Sequence, residues 1–400
     1  MFIERNVSPE KSIVLRYGKN IQTIPYRYLA EASISEGARV VACEAYKGVA
    51  ISILDLSSLS ITKTFKDNLA VITIADCLHR GITRIVFQSS GNTGNALSVY
   101  AHKHGIETIF LHQKSSNYKI NPEIQHPLGI SIACDVSEPE LKTLATAAAE
   151  YFDAELLPTF QHQIEANKLR AYFLSEYFVQ TREHFDWHVQ ALSSAYGVFG
   201  YYQGLEDLAA SAHPGIQPHS PKLLGVQQEA VSPYADHFSN SPTKKKSDAA
   251  SIIEPTLFRT EPTEKLYQRM AHILDTYGGH ITVVTNDEYV QRFATARAML
   301  EKAGIEFGLT SVEGKEILVE QAGVMALVGC LQAIDRGQIR EGNSALVVFT
   351  GGAKRSVQKK INYTPSYTLS SNDADAALRA IAREKGLSVH THTVQSTSRV

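Results

Sequence analysis

The chain has 400 residues, of which 44% are hydrophobic, so it can bury one large core or two moderate ones. Lysine and arginine number 39 against 41 for aspartate and glutamate, and this balance argues against binding to nucleic acid or a membrane surface through charge. The first residues contain no apolar run, no stretch approaches the roughly 20 apolar residues that span a bilayer, and the four cysteines show no metal or disulfide spacing. We therefore expect a cytoplasmic globular enzyme without a metal, whose partners are small molecules.

Short apolar, β-branched runs alternate along the chain with segments of helical spacing, a pattern typical of a parallel α/β sheet. The predicted strands cover residues 84–88, 108–112, 130–134, 188–192, 222–227, 280–284 and 344–349. The predicted helices cover residues 68–79, 95–104, 138–151 and 161–181. Gly105 would end the second helix in a left-handed conformation. The fold class is α/β, with helices on both faces of the sheet.

Residues 232–262 interrupt this alternation. They contain the sequence SNSPTKKKSD, in which Lys244, Lys245 and Lys246 are consecutive, and they show no usable periodicity. This predicts an exposed loop. Two interpretations stay open: the lysines are ordinary solvated charges, or they form a gate for anions above a site.

The segment TFKD (residues 64–67) places Lys66 at the start of an amphipathic helix. A lysine beside an acid at a helix start is typical of a protein surface. The alternative is a lysine in a cleft, where a lowered pKa leaves the amine neutral and able to condense with an aldehyde. The segment alone does not separate the two interpretations.

Three further segments join a strand to a loop or a helix. SSGNTG (residues 89–94) can expose backbone N–H groups to an anion at a helix start, or can form a simple strand-to-helix turn, and it is not a dinucleotide fingerprint. SSAYG (residues 193–197) has the same placement, and its small residues could expose N–H groups to a phosphate. FTGG (residues 349–352) puts Thr350 at the carboxyl end of an apolar strand, where ligands of open parallel sheets bind.

In this order, the four segments resemble the fold-type II pyridoxal-phosphate enzymes, and the threonine synthases most closely. TFKD corresponds to the family's S-F-K-D motif, SSGNTG to S-G-N-T-G, and FTGG to L-T-G. The resemblance extends from about residue 60 to residue 354. It implies two three-layer open-sheet domains with pyridoxal 5'-phosphate in the cleft between them. Residues 1–75 and 186–400 would form the larger domain, and residues 76–185 the smaller one.

The resemblance also implies roles for individual residues. Lys66 would hold the cofactor as a Schiff base, Asn92 would contact the ring oxygen, and Thr350 would bond the ring nitrogen. The substrate carboxylate would be bound by Ser90, Gly91, Asn92 and Thr93. The cofactor's phosphate would lie against Ser193, Ser194, Ala195, Tyr196 and Gly197. Glu320 lies where the family has an E-P-A-S stretch.

Two departures from the family's patterns stand out. The phosphate loop is usually G-N-G-G-N or G-T-G-G-T, whereas this chain places Tyr196 where glycine is expected. Lys63 lies three residues before Lys66, where it could lower the pKa of the Lys66 amine or project into solvent. Lys114, Lys119, Lys354 and Arg355 are available to bind a leaving phosphate and have no assigned role.

The resemblance implies a lyase or synthase that acts on an amino acid with a β or γ leaving group, and eliminates that group before a nucleophile adds. We expect a homodimer with a small amino-acid substrate. A serine or threonine dehydratase, which would release a keto acid and ammonia, is the first alternative. A non-catalytic protein that keeps the fold as a binding module is the second.

Overall fold

The computed structural model describes residues 1–211, 220–238, 252–258, 261–312, 314–353, 363–370 and 373–386. Its helices are α1 (Ile13–Tyr17), α2 (Tyr26–Ala32), α3 (Lys66–Arg80), α4 (Asn92–Lys103), α5 (Glu138–Tyr151), α6 (Phe160–Thr181), α7 (Tyr196–Ala210), α8 (Pro233–Phe238), α9 (Glu264–Tyr277), α10 (Asn286–Lys302), α11 (Ala322–Asp335) and α12 (Ala374–Glu384). Its strands are β1 (Arg39–Ala42), β2 (Ala50–Asp55), β3 (Arg84–Gln88), β4 (Glu107–Gln113), β5 (Gly129–Asp135), β6 (Glu155–Leu156), β7 (Trp187–Ala191), β8 (Lys222–Gln228), β9 (Gly279–Val284), β10 (Leu309–Val312), β11 (Lys315–Leu318), β12 (Ser344–Phe349) and β13 (Tyr367–Ser370). Every predicted strand and helix is present, with ends within three residues of the prediction.

Two sheets form the framework. The larger has six strands in the order β1-β2-β12-β7-β8-β9, and all neighbours are parallel except β1 and β2. The smaller has five parallel strands in the order β13-β5-β4-β3-β6. A separate hairpin joins β10 to β11. This arrangement confirms the predicted α/β class with open, mostly parallel sheets.

The helices lie on both faces of both sheets. Helices α3, α4, α6 and α7 share one apolar core with the facing sides of the two sheets. Helices α10 and α11 cover the outer face of the larger sheet, and α5 and α12 cover that of the smaller one. In β3, Ile85 and Phe87 belong to the shared core while Val86 belongs to the outer one. Strand side chains alternate between faces, so a strand buried on both sides is apolar throughout.

The structure corrects the predicted domain limits at the C-terminus. The prediction placed residues 186–400 with the larger sheet, but β13 pairs with β5 in the smaller sheet and α12 packs on its outer face. The four residues of β13 are too few and too polar to show their sheet from sequence. The boundaries at residues 75 and 185 stay predictions, because the helices next to them belong to the core that both sheets share.

The predicted exposed loop is also corrected in part. Ser232 and Tyr234, at the beginning of residues 232–262, are buried, and so are Glu254 and Leu257 near its end. Residues 239–251 and 259–260, with all three consecutive lysines, lie outside the described residues. None of the described helices combines the length and the apolar character needed to cross a membrane.

Candidate active site

Lys66 is the first residue of α3 and is fastened to the carboxyl end of β12. The backbone N–H of Phe65 donates to the carbonyl of Thr350 (2.9 Å), and Thr64 forms an antiparallel bridge with Gly351. The carboxyl edge of a parallel sheet is where ligands of this architecture collect. Two of the four segments singled out in the sequence, TFKD and FTGG, therefore form one structural unit.

The amine of Lys66 is partly buried and makes weak polar contacts. Its Nζ donates to Oε1 of Gln163 at 3.4 Å and lies 4.6 Å from the ring centroid of Phe65. Burial and, to a smaller extent, the guanidinium of Arg170 lower the pKa of Lys66, and the carboxylate of Glu320 opposes them, so that the pKa is about 8. Near neutral pH, a larger fraction of this amine is unprotonated than of an exposed lysine, which favours the cleft interpretation of TFKD.

Lys63 neither projects into solvent nor accounts for the lowered pKa of Lys66, the two alternatives drawn from the sequence. It is partly buried, its φ is 61°, and its Nζ donates to the carbonyl of Ser58 at 2.7 Å. The cation that lowers the pKa of Lys66 is Arg170. The amine of Lys63 is thus bound to a backbone oxygen on its own loop.

The start of α4 presents backbone N–H groups without acceptors in the described part of the chain. Gly91 precedes the helix with a φ of 139°, and no side chain caps it. The first intrahelical bond runs from the N–H of Asn95 to the carbonyl of Gly91 (2.8 Å), so the N–H groups of Asn92 and Thr93 have no intrahelical partner. Ser90 and Thr93 are partly buried beside them. Such a helix start suits a carboxylate.

Glu320 joins this loop to the Lys66 unit. Its buried carboxylate accepts a hydrogen bond from the side-chain amide of Asn92, and burial raises the pKa of Glu320 to about 7, although the ammonium of Lys119 opposes the shift. A Cβ at Gly351 would lie 2.5 Å from Oε2 of Glu320, so only glycine leaves room for the carboxylate. The sequence named Glu320 from the family pattern, and the structure places it against two of the four segments.

Lys119 is not available to bind a leaving phosphate in this structure. It forms an ion pair with Glu254, both side chains are almost completely buried, and Glu254 also accepts the backbone N–H of Gln321 at 2.6 Å. Lys114 is exposed. Lys354 and Arg355 lie outside the described residues. Sequence reasoning missed Glu254, which lies in the segment expected to be an exposed loop.

The segment SSAYG forms the turn between β7 and α7. Ala195 adopts a left-handed conformation (φ 60°), and the first helical bond runs from the N–H of Phe199 to the carbonyl of Ala195 at 3.0 Å. Within the described residues, the backbone N–H groups from Ser194 to Gly197 have no acceptor. The ring of Tyr196 packs in a T-shaped contact with the ring of Phe160, with 5.5 Å between centroids. The bulky side chain therefore leaves the backbone of this turn open.

Arg170, which sequence reasoning missed, lies beneath this turn. Its side chain is completely buried, Nη1 donates to Oε1 of Gln190 at 3.0 Å, and Nη2 donates to the carbonyl of Gly197. Its Nε has no partner among the described residues, and burial lowers the pKa of Arg170 to about 10. The signal in the sequence was an arginine four residues from both Ala166 and Leu174, on the apolar side of the predicted helix 161–181.

These groups fit the cofactor that the sequence resemblance implies. The amine of Lys66 suits an aldehyde, and the open N–H groups at the start of α7, with the buried cation beneath them, suit a phosphate. The open N–H groups at the start of α4 suit a second anion. Within the described residues, Arg170 links the turn after β7 to the Lys66 unit, since its guanidinium lies 5.9 Å from the ring centroid of Phe65.

Known proteins with related sequences and folds support this view. The threonine synthase of Mycobacterium leprae is 23% identical over 333 residues, which cover 82% of this chain and 84% of that protein. The threonine synthase of Methanosarcina acetivorans is 22% identical over 328 residues, covering 80% and 74%. Among solved structures, maize serine racemase matches with a TM-score of 0.58 at 15% identity, covering 83% of this chain and 95% of that one. O-ureido-L-serine synthase matches with a TM-score of 0.55 at 14% identity, covering 85% and 96%.

The family itself is shown by a match that covers most of the chain. The family model described as "Pyridoxal-phosphate dependent enzyme" matches residues 45–351, a range that contains the first three segments, the fourth up to Gly351, and Arg170. The fold of this chain agrees with the solved structures, and the groups around Lys66 suit the cofactor. The chain belongs to the pyridoxal-phosphate dependent enzymes and uses pyridoxal phosphate as its cofactor.

Proposed function

We propose that the protein eliminates a β or γ leaving group from an amino acid and then adds a nucleophile, as a threonine synthase-like lyase or synthase. The observation that carries this proposal is the amine of Lys66, whose pKa is about 8 and which lies where the TFKD and FTGG segments join. The relatives named threonine synthase, at 22–23% identity, support the same class.

Pyridoxal phosphate, when bound, supplies an electron sink that makes the proton on the substrate's α-carbon acidic. Lys66 holds the cofactor and, once released from it, removes that proton, because its neutral amine can accept it at this pKa. The same ammonium can return the proton to a neighbouring carbon or to the leaving group. Both the removal of the proton and its return need a lysine that changes its protonation state near neutral pH.

The remaining residues orient the reactants. Ser90, Gly91 and Thr93 bind the substrate carboxylate at the start of α4, where the helix dipole favours an anion. The turn that includes Ser193, Ser194, Ala195, Tyr196 and Gly197 holds the cofactor's phosphate. Thr350 offers a neutral hydroxyl to the ring nitrogen, which leaves that nitrogen without a proton and favours elimination over transamination.

Asn92 can serve two partners at once. Its side-chain amide carries two N–H groups, and one of them is bound to Glu320. The other is free to donate to the ring oxygen of the cofactor. Glu320 therefore orients Asn92 toward the cofactor, although Glu320 need not touch the substrate.

Borohydride reduction followed by peptide mass spectrometry tests the position of the cofactor. We expect the cofactor to be fixed to Lys66 in the purified holoenzyme, and Lys66→Ala to remove both the fixed group and the visible absorbance band. Lys63→Ala is the matched control, because the amine of Lys63 binds the carbonyl of Ser58 and should not be modified. Attachment at any other lysine would contradict the proposed site.

Substrate assays separate the reaction classes. O-phospho-L-homoserine and O-acetyl-L-serine, each with and without added sulfide, should release phosphate or acetate and yield a replaced or hydrated amino acid. Keto acid and ammonia without an added nucleophile would identify the dehydratase alternative instead. A holoenzyme that keeps its absorbance spectrum unchanged with every amino acid tested would support the non-catalytic alternative.

A further inference from the structure

A buried cation without a carboxylate lies beneath the turn between β7 and α7. Arg170 is completely buried, and in the described part of the chain its guanidinium binds only neutral acceptors, the amide oxygen of Gln190 and the carbonyl of Gly197. Its Nε has no described partner. A buried charge without a counter-ion is costly, so such a charge calls for an anion that binds beside it.

The other buried arginine of the described chain differs in this respect. Arg16 forms a two-point ion pair with Glu176, and Tyr17 donates to the same carboxylate. The fold therefore supplies a carboxylate where an arginine has a structural role. Arg170 has no such carboxylate among the described residues. It lies next to the turn whose backbone N–H groups, from Ser194 to Gly197, have no described acceptor.

The close packing around Gly197 fixes the arginine in this position. A Cβ at Gly197 would lie 3.1 Å from Nη2 of Arg170 and 2.4 Å from Nε2 of Gln190. The guanidinium is thus in direct contact with the backbone of the turn. An anion bound by the open N–H groups would experience this charge, and the burial of the guanidinium limits its screening by water.

We propose that Arg170 supplies the positive charge that helps to hold the cofactor's phosphate at the turn 193–197, where Tyr196 occupies a position expected to be glycine. Glycine at the position of Tyr196 would give this backbone more conformational freedom to fit around an anion, and Tyr196 reduces that freedom even though its ring leaves the N–H groups open. A fixed cation next to the turn increases the affinity for the phosphate and does not require a flexible backbone. The inference rests on the proposed position of the phosphate and does not depend on which reaction is catalysed.

Apoprotein titrated with pyridoxal 5'-phosphate and with pyridoxal, which lacks the phosphate, tests this directly by absorbance or tyrosine fluorescence. Arg170→Gln should weaken binding of the phosphorylated form by about ten- to a hundredfold more than binding of pyridoxal, because the effect of Arg170 on the pKa of Lys66 acts on both ligands equally. Arg170→Lys should recover most of the discrimination, because it restores the charge. Arg16→Gln is the control: it should reduce stability and keep the wild-type ratio of the two affinities.

Inorganic phosphate gives a second measurement that needs no variant. It should compete with pyridoxal 5'-phosphate for the wild-type apoprotein and should not compete with pyridoxal. Absence of competition would overturn the inference even if Arg170→Gln failed to fold, and so would an Arg170→Gln protein that loses both ligands equally.

The same samples separate this inference from the proposed function. Borohydride should fix pyridoxal to Lys66 in the Arg170→Gln protein. If Lys66 is modified but Arg170→Gln weakens pyridoxal 5'-phosphate and pyridoxal binding by the same factor, the proposed role of Arg170 is wrong and the proposed function stands. If Lys66 is not modified even in the wild-type protein, the proposed function itself fails.

Discussion

The side-chain amide of Asn92 donates a hydrogen bond to the carboxylate of Glu320, and this bond connects the loop after β3 of the smaller sheet with the start of α11 on the larger one. Lys119 and Glu254 make a second connection between the same two parts of the molecule. The loop proposed to bind the substrate carboxylate is therefore connected to the region of the larger sheet by buried polar and charged side chains. Its position should depend on their protonation and pairing.

Glu320 should make stability depend on pH. Its pKa rises from 4.5 to about 7 on folding, so between these values the folded protein holds a proton that the unfolded chain releases. The free energy of unfolding should decrease as pH rises through this interval, by on the order of 1–3 kcal/mol. Glu320→Gln should flatten the curve measured by urea denaturation from pH 4.5 to 7.5. Glu150→Gln, on the exposed side of α5, should keep the wild-type slope, and a Glu320→Gln protein with that slope would contradict the prediction.

Attachment of the cofactor to Lys66 should show a midpoint near pH 8. Only the neutral amine attacks an aldehyde, so the rate should rise with pH and level off above the pKa of Lys66. Stopped-flow absorbance of the apoprotein mixed with pyridoxal phosphate measures the rate. Arg170→Gln removes a cation that lowers this pKa and should move the midpoint upward. A wild-type midpoint near 10, as for an exposed lysine, would contradict the burial of this amine.

Breaking the pair between Lys119 and Glu254 should strongly destabilise the protein. Lys119→Met leaves the Glu254 carboxylate buried without its cation, which costs about 3–5 kcal/mol in comparable cases. Lys114→Met, an exposed lysine in the same turn, should change the free energy of unfolding by no more than about 0.5 kcal/mol. Denaturant titration measures both. The double variant Lys119→Met with Glu254→Gln should lose less than the sum of the single changes, and strict additivity would argue against the pairing.

Gly94→Ala should displace the start of α4. A Cβ at Gly94 would lie 2.1 Å from the ring of Phe110, so the helix and the loop before it must move, at about 1–3 kcal/mol. Because Asn92 lies in the same helical turn, cofactor and substrate affinity should fall together with stability. Gly81→Ala is the control, since no atom lies within 4 Å and its only cost is a left-handed backbone of about 1–2 kcal/mol. Equal cofactor affinity in both variants would contradict the prediction.

Most of the framework could be predicted from the sequence because each element carries its own local signal. The apolar runs of β3 and β12 and the capped helix α5 have the predicted ends, since buried parallel strands and a Ser-Glu capping box are defined by neighbouring residues. The sheet of β13 could not be predicted, because it depends on pairing with a strand more than two hundred residues earlier.

The candidate site shows the same division. Lys66, Asn92 and Thr350 lie in short segments whose order is distinctive, so the sequence could propose roles for them, and those roles stay predictions. Arg170 and Glu254 became visible only when their burial and partners were known, because a charged residue in a helix or a loop gives no local sign of what it faces. The homodimer and the cytoplasmic location stay predictions that light scattering and cell fractionation can check.

The placement of β13 also has a consequence for synthesis on the ribosome. Strands β3 to β6 of the smaller sheet are all synthesised by residue 156, whereas β13 is synthesised more than two hundred residues later. Until then the outer edge of β5 has no neighbouring strand, and an unpaired edge can pair with another chain. The finished edge is β13, which is short and largely polar. A nascent chain stalled before residue 367 should therefore be more prone to aggregation than a chain in which β13 is paired with β5.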